Sequence, residues 1–298
     1  MVYTKNIAIV SSFICLWLAS LLNKDLETLL GFILILSFGI LHGSNDLLIF
    51  ESLSYLKAKQ SKLVMLAIYV GIVIFIFVLF SILPLFALAV FIIFSAYHFG
   101  EQHWEQLKLG GHWFLKSLFY TTYGLFILFL LFIFNTQEVI EIIETISNYR
   151  LKPSLIQALF YGICILLGFS TFLIALKNRR ITQNAVTEIL YLLVLSVIFK
   201  ISSLIWGFAI YFIFWHSLPS LYDQVNFIYN KFDKNSLLSY TKNAAPYWLI
   251  SVVAIVVFYY VFNEIDIFYA LFFSFLAAVT FPHSVTINTM FKKINKKN

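Results

Sequence analysis

The sequence predicts an all-α, polytopic membrane protein with about ten transmembrane helices (8–10) in one bundle. Three observations lead there. Of 298 residues, 61% are hydrophobic and only 11% charged, and the mean hydropathy of +0.92 lies far above that of a soluble globular domain. Apolar runs long enough to cross about 30 Å of hydrocarbon recur along the whole chain. No internal repeat and no Gly/Pro/Ser-rich linker interrupts them, so residues 1–298 read as a single integral-membrane domain.

Taken in order, residues 7–22 follow the lone Lys5 without a small-x-small cleavage site and are expected to stay as a helix. Residues 26–42, 63–80 and 84–99 are the next three spans, and the first of them ends on His42. Spans at 113–134 and 154–176 follow. Residues 187–199 are short and carry Glu188, so this segment could be re-entrant rather than spanning. Spans at 201–218, 247–262 and 267–290 complete the set. The longest polar connections, 51–62, 101–112, 135–153 and 224–246, are too short for a separate soluble domain.

If every span crosses and the N-terminus is inside, 16 of the 20 Lys and Arg residues fall on the inner face. The counted residues include Lys57, Lys59, Lys62, Lys108, Lys296 and Lys297. The positive-inside rule then puts both termini in the cytoplasm. Richness in Phe, Ile, Asn and Lys suggests an AT-rich bacterial genome, and with it a bacterial inner membrane. A formal charge of +6 spread over so much apolar sequence gives no sign of nucleic-acid binding and is better used to orient the protein in its membrane. Cys15 and Cys164 fall inside apolar segments and form neither a disulfide framework nor a metal spacing.

The histidines carry the chemistry. His42, His98 and His216 end predicted spans, His283 lies well along another, and His103 and His112 sit in a loop assigned to the same side. Ionisable groups at that depth are costly and mark a functional interior. Each of three has a carboxylate nearby: Asp46 four residues after His42, Glu101 three after His98, and Asp223 seven after His216. On continuous helices these spacings share a face. A metal-bound imidazole commonly donates its other N–H to such a carboxylate. Imidazoles without many carboxylate ligands suit Fe, Cu or Zn, not Mg or Ca. The competing reading is helix capping, in which each ring satisfies terminal carbonyls.

Four segments together resemble a family: LHGSNDLLIF (41–50), SAYHFGEQHW (95–104), FWHSLPSL (214–221) and FPHSVTINTMF (281–291). They are similar to the Brp/Blh family of bacterial membrane β-carotene 15,15'-dioxygenases, in the family's order and over most of the chain. The resemblance implies an Fe(2+) enzyme that takes an apolar carotenoid from the bilayer and, with O₂, splits the central double bond to give retinal. It implies iron ligands at His42, His98 and His216. Where the family usually has another histidine this chain has Ser220, so the resemblance leaves the fourth ligand to His283 or, alternatively, to His103. Five residues from His98 turn His103 about 140° round a helix, which favours His283. Asp46, Glu101 and Asp223 are the expected second shell. Phe94, Tyr97, Tyr211, Phe214 and Trp215 are candidate residues of a substrate tunnel, whose ring faces could pack on a polyene. A retinal product implies an opsin in the same cell.

Other readings stay open. A membrane di-iron desaturase would need H-x-x-x-H and H-x-x-H-H clusters, which are missing. A haem protein with paired histidines fits the spacing. A rhodopsin needs a lysine deep in a helix, and the lysines here sit in loops or at helix ends. A non-catalytic carotenoid or retinoid binder or carrier with a degenerate site fits Ser220.

Overall fold

The computed structural model describes the backbone of residues 2–53, 58–107, 109, 112–262 and 265–297, and the regular structure there is helical. Lys57, Lys59, Lys62, Lys108, Lys296 and Lys297, counted above toward the inner face, lie outside the residues whose side chains are described. Six helical stretches among the described residues are long and apolar enough to cross a bilayer: Pro84–Trp104, Trp113–Phe134, Pro153–Ala175, Arg179–Ile201, Leu204–Tyr229 and Leu271–Ile294. Lys5–Ala19 and Leu66–Ile82 are shorter apolar helices. The chain is thus an all-helical, multi-pass membrane protein, and six of the roughly ten expected spans are matched by such helices among the described residues.

Several boundaries move for identifiable reasons. The doubtful 187–199 segment is the second half of a 23-residue helix, Arg179–Ile201. Glu188 is tolerated there because it is paired, as shown below. The 135–153 connection contains a helix, Thr136–Ser147, rather than a loop alone. The 224–246 connection lies largely within the helices Leu218–Tyr229 and Lys234–Phe262, and Pro246 sits inside the latter.

The helices are numbered α1 (Val2–Ala19), α2 (Lys24–Leu34), α3 (Asp46–Leu53), α4 (Ala58–Ile82), α5 (Pro84–Trp104), α6 (Trp113–Phe134), α7 (Thr136–Ser147), α8 (Pro153–Ala175), α9 (Arg179–Ile201), α10 (Leu204–Ile210), α11 (Leu218–Tyr229), α12 (Lys234–Phe262) and α13 (Ile265–Lys297). Two π-helical segments, Ile35–Gly39 and Tyr211–Ser217, follow α2 and α10. Such segments are concentrated at functional sites, and here each leads into a histidine.

The chain divides into two compact units. The first comprises Met1–Leu34, Ile92–Glu144 and Arg150–His216. In it α6 packs on α8 and α9, and α10 packs on α2. Small residues let α5 and α6 come close, as in many membrane helix pairs. A Cβ on Gly100 would overlap the backbone of Tyr120, and a Cβ on Gly124 would overlap that of Ala96. This reciprocal contact explains the glycine of YHFGE: it holds the turn of α5 that carries His98 against α6. The start of α10 is fixed by two acids. Glu27 accepts from the Ser203 amide (3.0 Å) and hydroxyl (2.9 Å), and Glu138 accepts from the Leu204 amide (2.8 Å). Both satisfy N-terminal amides that a helix leaves open and complement its dipole.

The second unit comprises Ile35–Phe91, Thr145–Tyr149 and Ser217–Asn298. Here α13 packs on α3, α4 and α12. Its core includes Ile49, Leu53, Ile287, Met290 and Phe291. Lys293 Nζ donates to the Ser52 and Leu53 carbonyls and so closes the C-terminal end of α3. The Trp248 indole donates to the Leu36 and Ser37 carbonyls of the first π-helical segment.

Candidate functional site

In the second unit, His42 and His283 form a buried pair, 4% and 3% exposed, with ring centroids 4.8 Å apart in an edge-on arrangement. His42 stands in a turn, because the chain leaves the helix after Leu41 and tightens through Gly43 N to Ile40 O (3.1 Å) and Ser44 N to Leu41 O (3.3 Å). Asp46 therefore opens a new helix instead of continuing the old one. The i, i+4 spacing matched it to His42, but its Oδ1 takes the Nδ1–H of His283 at 2.7 Å. Its Oδ2 accepts from the Tyr69 hydroxyl at 3.2 Å. The Nδ1 of His42 donates to the Gly39 carbonyl. With Nδ1 of both rings acting as donor, the tautomer these partners select carries its lone pair on Nε2. That is how metal-binding imidazoles are usually prepared.

A longer buried chain steadies the His42 turn. Ser220, fully buried, accepts from Gln224 Nε2 at 3.0 Å. The Tyr240 hydroxyl lies 2.7 Å from Gln224 Oε1 and 2.9 Å from the His42 carbonyl, and Asn45 Nδ2 donates to the Tyr240 carbonyl at 2.9 Å. No sequence spacing pointed to Gln224 or Tyr240. Ser220 is thus the start of a polar chain that ends on the backbone of a histidine. Asp223 is half-buried on α11.

In the first unit, His98 on α5 and His216 in the second π-helical segment are buried together, 1% and 2% exposed, with centroids 4.7 Å apart. Their surroundings are aromatic. Phe99 lies 4.7 Å from His216 and Phe212 stacks on it at 5.6 Å. Glu101 is buried and accepts from the Tyr97 hydroxyl at 2.8 Å. Tyr211 and Trp215 are buried as well: Tyr211 meets Phe99 edge-on, and Trp215 donates to Ser12 Oγ at 3.0 Å. Phe214 is half-buried, whereas Phe94 is 41% exposed.

His103 belongs to a different cluster of the same unit. Its Nε2 lies 2.7 Å from Glu188 Oε2 and 3.1 Å from the Tyr123 hydroxyl, while Lys5 Nζ approaches Nδ1 at 2.9 Å. Lys5 is itself buried, with its ammonium over the rings of Tyr191 and Trp215. The sequence reading counted Lys5 as a loop charge and missed this ion network. The lysine beside His103 supplies the positive charge that a metal would otherwise bring. His112 caps α6, accepting from the Phe114 amide at 3.3 Å.

Each unit therefore carries a buried pair of imidazoles, the donor type that Fe, Cu or Zn takes. No curated protein and no solved structure matches the chain. The family model for beta-carotene 15,15'-dioxygenase matches residues 33–291, a stretch that holds all four buried histidines, and the chain belongs to that family of carotene-cleaving enzymes.

Proposed function

We propose that His42, His98, His216 and His283 hold an Fe(2+) ion, and that the protein uses it with O₂ to split β-carotene at the central 15,15' double bond into two molecules of retinal. The observation that carries this reading is the fixed Nδ1 donation of His42 and His283, to a carbonyl and to Asp46, which prepares both Nε2 atoms as ligands. Nitrogen donors suit iron, and neutral imidazoles leave the ion's charge intact. Bound iron supplies the electron transfer with O₂ that the protein's side chains lack.

The chain's own part is to orient and to exclude water. Asp46 holds the His283 ring, and Glu101 and Asp223 serve as the second shell of the other pair. Phe94, Tyr97, Tyr211, Phe214 and Trp215 offer ring faces to a polyene. His103 is the alternative ligand, disfavoured by the lysine next to it. The protein sits in a bacterial inner membrane with both termini cytoplasmic, and its product supplies a retinal-binding opsin. A carotenoid carrier that does not cleave is the second reading, favoured by Ser220 in place of a histidine. Expression in a β-carotene-accumulating bacterium separates the two: bleaching with release of retinal supports the enzyme, and pigment that is bound but never cleaved supports the carrier.

A further inference from the structure

The second unit contains a cavity of about 320 Å³ that none of the tunnel candidates above lines. Its floor is made by Gly43, Asp46 and Tyr69. A Cβ on Gly43 would stand 3.6 Å from His283 Nδ1, so the Gly43 and Asp46 part of the lining lies next to a buried histidine that does not itself line the cavity. At the other end Leu66 on α4 and Tyr247 and Ile250 on α12 line the cavity while being 43%, 43% and 68% exposed. Exposed apolar side chains at the cavity's edge suit lipid contact better than water, as a mouth open to the bilayer requires.

The polar atoms of the floor are turned on one another. Asp46 spends one oxygen on His283 and the other on Tyr69, and the Ser44 hydroxyl donates to the Ile40 carbonyl at 2.9 Å. The rest of the lining is mainly hydrocarbon and ring surface, with Ser251 and Tyr247 as its further hydroxyl-bearing residues. A charged guest would give up its hydration for a mainly apolar lining, which costs more than the contacts return.

We propose that this cavity is the lateral portal through which one arm of the carotenoid polyene reaches the buried histidines from the bilayer, with Leu66 and Ile250 as its rim. The inference rests on the carotene-cleaving reading above. The occupant is a linear apolar polyene, the substrate class of the family whose model the chain matches; occupation by a phospholipid chain instead is an outcome of the test below. The volume is at the small end of ligand sites, enough for part of a carotenoid beside His283 but not for a whole one.

The test uses the full-length, iron-loaded protein with Leu66→Trp and Ile250→Trp, both at exposed positions where a larger ring displaces no core. The expected result is a rise of about fivefold or more in KM for β-carotene and a matching fall in pigment retained on purification, with iron per chain unchanged. In parallel, Ile250→Cys is labelled with a lipid-soluble maleimide, and β-carotene is expected to slow labelling while added phospholipid does not. Unchanged KM and pigment in both Trp variants overturn the portal, as does protection by phospholipid alone. If the unaltered protein forms no retinal, the carotene-cleaving reading fails instead. The labelling result still reports on whether a polyene enters.

Discussion

Two buried histidine sites, one in each unit, show how the same side chain is put to opposite uses. At His283 the neighbour is a carboxylate that takes the Nδ1–H, and its second oxygen is held by Tyr69. At His103 the neighbours are a carboxylate and an ammonium, Glu188 and Lys5, and the positive charge is already present. The first arrangement suits a metal. The second suits a structural ion network that ties α1 to α5 and α9 inside an apolar bundle, where lone charges are costly. The residue type is the same in the two places; the charge of the neighbours differs.

The comparison can be broken first by removing a histidine from each site. His42→Ala is expected to abolish both retinal formation and iron retention while the protein still inserts; retinal formation at an unchanged rate contradicts the assignment. His103→Ala should instead keep its iron and lose stability by about 3 kcal/mol, because Lys5 and Glu188 are left buried without their bridge. A lowered melting midpoint at constant iron content is the readout, and loss of iron would move His103 into the metal site.

The carboxylates sharpen the contrast further. Asp46→Asn should weaken metal affinity by roughly tenfold to a hundredfold, the range for losing a metal ligand's hydrogen-bond partner. Glu188→Gln should leave metal affinity as it was. Competition with a chelator measures both, and equal affinities for the two variants would erase the distinction. The smallest effect is expected from Tyr240→Phe, which removes the hydroxyl shared between Gln224 and the His42 carbonyl. A loss of about 1 kcal/mol is the usual size for one buried hydrogen bond. It should appear as a melting shift of about 2 °C in a chain of this length.

Much of this was legible in the sequence, and the missed parts share a cause. Apolar runs announce helices because the bilayer leaves no other partner for the backbone, so α6 and α8 fall within a residue or two of expectation. Histidines at the ends of such runs stand out for the same reason. Hydropathy is silent on register: it did not show the π-helical segment that contains His216, nor the HGSN turn that moves Asp46 from His42 to His283. Partners far apart in sequence were equally hidden. Lys5 with His103, and Ser220 with Gln224 and Tyr240, meet only when the helices pack. Of the ten expected spans, six are matched among the described residues by helices long and apolar enough to cross, and two more apolar helices there are shorter.

The most direct test of the central claim is iron analysis joined to X-ray absorption at the iron edge, on the purified protein and on His283→Ala. The account predicts about one iron per chain in a nitrogen-rich shell that contains imidazole, with metal and retinal formation both lost in the variant. Iron bound equally well without His283, or retinal formed by a protein that holds no iron, would contradict it.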